Sequence, residues 1–246
     1  MFGGFNGLGY PAGHAIFKMD RMSLEDEEDG VLRGDSPAPQ PKGQPKRWLD
    51  ERQCMMKGRD SAMPDENSWS SYFDAECVIR KVFGKVGCQG SVVEFGCGYG
   101  TFTFPAARHA TGTVYALDIE PDLIGRLQTG AKRKGIPNIV AEIRDFVADG
   151  TGLESESQHH AMIYNLLHIE DPDGLIREAH RVLHPNGRLS VIHWRSDIPT
   201  PRGPPKEIRP TPEQCRTWIE ASGFRDTRII DLLECCQFHF GMVAIP

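Results

Sequence analysis

The sequence predicts an α/β fold in which helices cover both faces of a mostly parallel sheet. Short β-rich runs alternate with amphipathic helical segments from residue 91 onward. A glycine-rich turn joins the first of these runs to the helix that follows, as in folds that bind a nucleotide at the edge of such a sheet. Two further β-rich runs lie at the C-terminal end, near enough in sequence to pair as an antiparallel edge.

The composition suits one folded domain of ordinary size. The chain has 246 residues, of which 39% are hydrophobic and 25% are charged. Its formal charge of −6 has the wrong sign for binding nucleic acid mainly through phosphates, so we expect no nucleic-acid partner, with a local basic groove as the open alternative. No apolar stretch approaches the roughly 18 residues of a membrane span, and no secretory signal pattern is present, so we expect a cytoplasmic protein.

The cysteines give no sign of a disulfide framework or a zinc site. Their number, seven, is odd, and none forms a C-x-x-C pair. Cys235 and Cys236 are adjacent, but neighbours in a strand point to opposite faces and make a poor two-point ligand. We therefore expect buried or incidental thiols and no metal site, with a redox or metalloid role as the alternative.

Residues 1–60 differ in composition from the rest of the chain. They combine a glycine-rich start with an acidic run at 25–29 and a proline-rich run at 36–41, and no apolar period persists. We expect a mostly disordered extension, either a solvated tail or a partner-binding arm. The folded domain is then predicted over residues 61–246.

The predicted elements follow in order along this domain. Asp74 is a candidate N-cap for a helix that carries Cys77, Val78, Val82 and Phe83 on one side. Strands are predicted at 91–95, 114–117, 139–143, 161–164, 188–194, 227–232 and 237–245. Further helices are predicted at 101–109, 121–134 and 172–183, the last stopped by the Pro-Asn-Gly sequence at 185–187, and at 211–223, where a capping box opens the helix.

The turn after the first strand has the pattern G-x-G-x-G, formed by Gly96, Gly98 and Gly100. Glycines there let backbone N–H groups approach a ligand closely, and the helix N-terminus favours a negative group. A dinucleotide-binding turn would need glycine at position 101, which is Thr101. The turn therefore indicates a nucleotide-like ligand other than NAD.

Two acidic residues narrow the choice of ligand. Glu94 lies two residues before the first glycine, where its carboxylate would repel a pyrophosphate and attract an ammonium group. Asp118 lies at the end of the second strand, where a carboxylate can accept hydrogen bonds from both ribose hydroxyls. A ligand that combines adenosine with an amino acid is S-adenosylmethionine, which we predict as the cofactor.

With these residues, the sequence resembles the class I S-adenosylmethionine-dependent methyltransferases over about residues 65–246. The four matching motifs lie at 94–100, 114–118, 144–146 and 164–168. The stretches 165–168 and 181–187 are most similar to the small type-11-like branch, which includes ubiquinone and menaquinone biosynthesis enzymes. The resemblance implies a Rossmann-like, doubly wound, seven-stranded sheet with an antiparallel last strand.

The resemblance also implies roles for individual residues. Asp145 would bind the adenine amino group, with a helix cap or surface turn as the alternative, and Asn165 would lie near the methionine end. The Phe146 backbone and the Ile119 side chain would flank the adenine ring. The full set of predicted cofactor-binding residues is Glu94, Gly96, Cys97, Gly98, Gly100, Asp118, Ile119, Asp145, Phe146 and Asn165.

The acceptor is left open among oxygen, sulfur, nitrogen and carbon nucleophiles. A sulfonium is already an activated methyl donor, so the enzyme needs a base only when the acceptor must lose a proton. His168, just after the fourth strand, is the best-placed candidate base, with a helix-capping or wall histidine as the alternative. The stretch 165–168 lacks the D/N-P-P-Y pattern, which sets aside amino-methylation of DNA or protein glutamine. A small-molecule acceptor is therefore expected.

Two segments are candidates for binding that acceptor. The proline-rich stretch 193–210 could form a structured cover, with Trp194 as an apolar wall and Arg195, Arg202 and Arg209 gripping an anion. Pairing of these arginines with local acids is the alternative. Trp69, Tyr72 and Phe73 could close the pocket from the other side, or simply pack into the core.

Two other functions stay open at this point. The chain could be a non-catalytic S-adenosylmethionine-binding regulator or partner subunit. It could also be a thiol or metalloid methyltransferase that uses Cys235 and Cys236. A nicotinamide oxidoreductase is disfavoured by Thr101 and Glu94, and the sequence carries no signal for oligomeric state.

Overall fold

The computed structural model describes residues 64–246, so the predictions for residues 1–60 lie outside the described part. A seven-stranded sheet has the order β3-β2-β1-β4-β5-β7-β6. The strands are β1 (Val92–Phe95), β2 (Val114–Asp118), β3 (Ile139–Ile143), β4 (Gln158–Tyr164), β5 (Leu183–Trp194), β6 (Arg225–Ile230) and β7 (His239–Ile245). The helices are α1 (Glu66–Ser70), α2 (Ala75–Phe83), α3 (Thr103–His109), α4 (Pro121–Lys134), α5 (Phe146–Asp149), α6 (Pro172–Val182) and α7 (Pro212–Ala221).

The sheet confirms the predicted fold class. Neighbouring strands from β3 through β5 pair in parallel, and β7 runs antiparallel to both β5 and β6. The central strand β1 is buried along its whole length, whereas the edge strands β3 and β6 are largely exposed. A strand buried on both faces reads as a continuous apolar run, which is why β1 and β4 were recognisable in the sequence.

Local sequence signals explain where several helices begin and end. The Asp74 carboxylate accepts a hydrogen bond from the backbone N–H of Cys77 and so caps α2. Helix α4 begins at Pro121 and ends at Lys134, and the Gly135 that follows has a φ of 63°, the left-handed conformation typical of a C-terminal cap. The predicted capping box of Thr211 and Gln214 opens α7.

The largest differences from the predicted boundaries occur where β4 and β5 begin. Strand β4 starts three residues early at Gln158, and β5 starts at Leu183, immediately after α6. Gln158 pairs with Leu183, and the register then shifts before His160 pairs with Arg188. Tertiary pairing of Leu183 therefore extends the strand through the Pro-Asn-Gly sequence, which we had interpreted only as a helix stop.

The expectation that all the cysteines are incidental thiols is wrong. Cys77 on α2 and Cys235 form a disulfide across 158 residues of sequence. Cys235 lies in a turn before β7 rather than in the strand, so the assumed alternation of neighbours does not apply there. Cys236 is a buried free thiol within an apolar cluster that includes Val78 and Val82. The disulfide ties the helix before the sheet to the turn between β6 and β7.

Among the helices of residues 64–246, none is both long and apolar enough to cross a membrane.

Candidate functional site

A cavity of about 330 Å³ opens at the carboxyl ends of β1, β2, β4 and β5. Parallel strands bring their carboxyl ends to one edge of the sheet, which is where open α/β sheets bind ligands. The lining residues are Pro64, Trp69, Glu94, Gly96, Cys97, Gly98, Thr101, Phe102, Asp118, Ile119, Arg144, Asp145, Phe146, Val147, Tyr164, Asn165, Leu166, His168, Ile169, Trp194, Arg202, Gly203, Pro204, Pro205 and Ile208.

The glycine turn lines the cavity with two of its three glycines. Gly96 and Gly98 have φ values of 72° and 53°, and both line the cavity together with Cys97. Burial, with the nearby carboxyls of Glu94 and Asp118, raises the pKa of the Cys97 thiol well above its usual value. The turn thus presents backbone and a neutral thiol, with no cationic side chain of its own.

Gly100 does not line the cavity, and its cofactor-binding role stays a prediction. Its φ is 82°, and a Cβ at this position would overlap the side chains of Leu127 and Phe104. The third glycine of the motif therefore allows α3 and α4 to pack closely behind the turn.

We predict that Gly100→Ala destabilises the fold by about 2 to 4 kcal/mol, because alanine pays for both the left-handed backbone and the overpacking. Urea denaturation measures the effect. Gly125→Ala is the matched control, since Gly125 lies inside α4 with open space around its Cβ position. That variant should gain about 0.5 to 1 kcal/mol from better helix propensity. Equal stability of the two variants would contradict this account of Gly100.

Glu94 is an almost fully buried carboxyl in the cavity wall, with 2% of its surface exposed. The Thr103 hydroxyl donates a hydrogen bond of 2.5 Å to its Oε2. Burial raises the pKa of Glu94 to about 8, which outweighs the Thr103 hydrogen bond, and the nearby Asp118 raises it further. In the absence of a cation, Glu94 is therefore mostly protonated at neutral pH.

Asp118 is held in place by the backbone around it. Its Oδ2 accepts a hydrogen bond of 2.8 Å from the N–H of Gly98, and its Oδ1 accepts one of 3.0 Å from the N–H of Glu120. Burial raises its pKa, although these two backbone donors act in the opposite direction. The carboxyl is thus fixed beside the glycine turn, with remaining lone pairs to accept further hydrogen bonds.

The turn between β3 and α5 forms another part of the wall. Asp145 is the N-cap of α5, where its Oδ1 accepts a hydrogen bond of 3.0 Å from the N–H of Ala148, and it also lines the cavity. The helix cap that we weighed as an alternative is therefore present. Phe146 lines the cavity with its ring packed edge-on against Phe95, and Ile119, which follows β2, lines it as well.

Asn165 has an unusual conformation at the end of β4. Its φ of 59° is in the left-handed region, and its backbone N–H donates a hydrogen bond of 2.7 Å to the carbonyl of Ile192. Both polar atoms of its side-chain amide are buried, and neither has a hydrogen-bond partner within residues 64–246. A buried amide without partners costs free energy, so the Asn165 side chain can bind a polar group that residues 64–246 do not supply.

His168 lines the cavity and contacts a second histidine that the sequence analysis missed. Its Nδ1 lies 3.2 Å from Nε2 of His193, whose own Nδ1 lies 3.2 Å from the carbonyl oxygen of Trp194. Burial lowers the pKa of His168 to about 4, with a contribution from Arg209. Burial also lowers the pKa of His193 to about 3. Both rings are therefore neutral at physiological pH.

The aromatic residues predicted to bind the acceptor divide into two groups. Trp69 and Trp194 line the cavity, with ring centroids 6.4 Å apart. Tyr72 packs edge-on against Trp194, and Phe73 packs against Trp69 and Phe102, but neither of these two residues lines the cavity. They support the wall from behind, which is the packing role we weighed as the alternative.

The three arginines of the proline-rich stretch also have different roles. Arg202 lines the cavity, and its guanidinium has no hydrogen bond or ion pair within the part of the chain that the structure describes. Arg195 forms an ion pair of 2.5 Å with Asp197 and does not line the cavity. Arg209 donates hydrogen bonds to the carbonyls of Pro204, Arg195 and Arg202 and to the Thr200 hydroxyl. It therefore holds the loop together instead of facing a ligand.

Several lining residues were not predicted from the sequence. The loop residues Gly203, Pro204, Pro205 and Ile208 lie beside Arg202 within the stretch that we expected to cover the pocket. The others are Pro64, Thr101, Phe102, Arg144, Val147, Tyr164, Leu166 and Ile169. Most of them are sequence neighbours of predicted residues. The sequence indicates this part of the chain but not which of its side chains face the cavity.

Cys235 and Cys236 do not line this cavity. Because Cys235 is bonded to Cys77 and Cys236 is enclosed by apolar side chains, the geometry does not favour the thiol or metalloid methyltransferase.

Comparisons with known proteins agree with this architecture. Residues 92–187 match a family model described as a methyltransferase domain. Among solved structures, a SAM-dependent methyltransferase from Aquifex aeolicus has a TM-score of 0.63 and 21% identity, covering 74% of this chain and 94% of that one. A protein from Sulfolobus solfataricus, titled a type 11 methyltransferase, has a TM-score of 0.55 and 24% identity, covering 71% and 92%. A third, an S-adenosylmethionine-dependent methyltransferase from Mesorhizobium loti, has a TM-score of 0.55 and 18% identity, covering 70% and 98%.

No curated protein sequence matches the chain. At these identities the structural likeness establishes the fold, and the family model adds a match in sequence over residues 92–187. Residues 92–187 therefore match a methyltransferase domain, and the described part of the chain has the fold of S-adenosylmethionine-dependent methyltransferases.

Proposed function

We propose that this enzyme methylates a small aromatic acceptor that carries an anionic group. The observation that carries the proposal is the composition of one cavity. On one side, Glu94, Asp118 and the glycine turn lie at the ends of β1 and β2. On the other, Trp194 and Arg202 lie at or after the end of β5, two strands away from β1 in the sheet, and Trp69 packs against Trp194. The first side suits the cationic nucleoside cofactor, and the second suits a flat, negatively charged partner.

The residues of the cofactor side fit S-adenosylmethionine. Asp118 is fixed where it can accept hydrogen bonds from ribose hydroxyls, and Glu94 is a buried acid with no cationic partner within residues 64–246. The unpartnered amide of Asn165 can serve the amino acid end. Asp145, Phe146 and Ile119 would hold the adenine. When bound, the cofactor supplies an electrophilic methyl group on a sulfonium.

The cavity also offers an acceptor several apolar side chains and two functional groups. Phe102, Ile169, Pro204, Pro205 and Ile208 accompany the two tryptophans in the wall. The guanidinium of Arg202 can bind a carboxylate or a similar anion, and the neutral ring of His168 can accept a proton. The protein's own contribution is to orient the acceptor, exclude water and receive that proton.

Arg202→Gln tests the acceptor class through transfer of a radiolabelled methyl group to hydroxybenzoates and to their uncharged methyl esters. We expect the Michaelis constant for the carboxylates to rise about tenfold, since a charged hydrogen bond is lost, and the value for the esters to stay unchanged. Arg195→Gln is the matched control, because Arg195 pairs with Asp197 outside the cavity. It should change neither constant.

Two results would count against the proposal. Equal preference of the wild type for acids and esters would remove the anionic requirement. Methylation of none of these aromatic compounds, by protein that binds S-adenosylmethionine, would exclude the aromatic acceptor class while leaving the methyltransferase assignment intact.

A further inference from the structure

The contact between His168 and His193 determines which ring nitrogens carry protons. It belongs to a short chain of hydrogen bonds that begins at the carbonyl oxygen of Trp194 and ends in the cavity wall. A carbonyl oxygen can only accept a hydrogen bond, so Nδ1 of His193 must carry the proton in that contact. The location of every other proton in the chain follows from this one.

His193 is completely buried and neutral, so only one of its ring nitrogens is protonated. With the proton on Nδ1, its Nε2 has a lone pair and can only accept. The nitrogen that faces it, Nδ1 of His168 at 3.2 Å, must then be the donor. In a neutral His168 this leaves Nε2 without a proton, and within residues 64–246 no protein group contacts that atom by a hydrogen bond.

We infer that His193 is a positioning residue that holds His168 in the Nδ1–H tautomer, so that the bare Nε2 of His168 is the proton acceptor for a hydroxyl-bearing acceptor. The inference rests on the proposed function of the cavity and refines its acceptor class. A hydroxyl nucleophile has a proton to lose, whereas a thiolate or carbanion formed elsewhere has none.

The step that follows is balanced in atoms and charge. The acceptor oxygen bonds to the methyl carbon while the carbon–sulfur bond breaks and its electron pair stays on sulfur. The hydroxyl proton moves to Nε2 of His168 and then to water. His193 keeps its hydrogen bond to Trp194 throughout, since Nδ1 of His168 is protonated before and after the transfer.

The other groups around this pair do not disturb the assignment. Arg209 lies near both rings, and its positive charge disfavours protonation of either neutral ring. His239 packs against Trp194 with a centroid distance of 4.1 Å, and neither of its ring nitrogens has a hydrogen-bond partner within residues 64–246. Burial lowers the pKa of His239 to about 3, so this ring is neutral as well.

The test is long-range ¹⁵N–¹H correlation NMR of the imidazole rings in the cofactor-free protein at pH 7, with His168 assigned from its loss in His168→Gln. We expect the wild type to show His168 almost entirely as the Nδ1–H tautomer. His193→Leu removes the acceptor and should give a mixture of tautomers, whereas His193→Gln keeps an acceptor oxygen and should restore the Nδ1–H form. His239→Phe changes a neighbouring buried histidine that does not belong to the hydrogen-bond chain, so it should leave the tautomer of His168 unchanged.

A wild-type spectrum with His168 in the Nε2–H form would overturn the inference, even if the His193 variants failed to fold. An unchanged tautomer in folded His193→Leu would overturn it too. Because the spectra need neither cofactor nor acceptor, missing methyl transfer would contradict the proposed function without altering this result.

Discussion

The affinity for S-adenosylhomocysteine is expected to rise almost tenfold per pH unit between pH 6 and 7.5. The reason is the raised pKa of Glu94, about 8, in the cofactor-free protein. A bound ammonium group favours the ionised carboxylate and lowers this pKa, so that binding at neutral pH must release the proton of Glu94. A ligand that releases one proton binds more tightly as the pH rises, by about 1.4 kcal/mol per unit.

Isothermal titration calorimetry measures both parts of this expectation. The affinity is recorded at several pH values, and titrations at pH 7 in buffers of different ionisation enthalpy give the number of protons released, which should be close to one. The upper limit of pH 7.5 avoids the titration of the ligand's own amino group near pH 8. The same experiments with S-adenosylmethionine extend the result to the methyl donor.

Two variants separate the contribution of Glu94 from other causes. Glu94→Gln cannot ionise, so its affinity should be lower at pH 7.5 and nearly independent of pH. Asp118→Asn should bind about ten- to a hundredfold more weakly at each pH, because a charged acceptor of ribose hydrogen bonds is lost, but it should keep the rise with pH. A pH-independent affinity in the wild type, or a slope that survives Glu94→Gln, would show that Glu94 does not face the cofactor's cation.

Most residues that the sequence predicts for the cofactor line the cavity, because they belong to local motifs. Glu94, the glycine turn and Asp118 lie at the carboxyl ends of successive strands. Parallel strands place these ends at the same edge of the sheet, so the positions of the residues can be predicted from their order in the chain. Gly100 is the exception. Its left-handed backbone was predictable, but its use for packing against Leu127 depends on a helix that lies further along the chain.

The acceptor side was harder to predict because its residues depend on distant partners. Arg195, Arg202 and Arg209 lie within fifteen residues of one another, yet their environments differ. Arg195 pairs with an acid, Arg202 lines the cavity, and Arg209 donates hydrogen bonds to backbone carbonyls. No periodicity or motif distinguishes these three environments. No motif predicts the contact between His168 and His193 either, because 25 residues separate them in sequence. The disulfide between Cys77 and Cys235 spans 158 residues and is equally unpredictable.

The buried histidines predict steep destabilisation by acid. Burial lowers the pKa of His160, His193 and His239 to about 3 and that of His168 to about 4, whereas histidine in an unfolded chain titrates near 6.5. Below pH 6.5 the unfolded chain therefore binds protons that the folded protein does not, and the free energy of unfolding falls with pH. Glu94 acts in the opposite sense, since its raised pKa lets the folded protein hold one extra proton between about pH 4.5 and 8.

The net effect is a loss of about 3 to 4 kcal/mol in the free energy of unfolding between pH 6 and pH 5, a large part of the stability of an ordinary domain. Urea denaturation at pH 7, 6 and 5 measures it, in a range where most carboxylates stay ionised. His160→Gln should flatten this dependence by about 1 kcal/mol per pH unit, and Glu94→Gln should steepen it by a similar amount. His160 makes its hydrogen bond to Ser190, apart from the His168 and His193 pair, and its pKa is lowered mainly by burial, with a contribution from Arg188. A stability that is constant between pH 7 and 5 would mean that these rings gain protons without unfolding, and that the neutral state assigned to His168 and His193 is wrong.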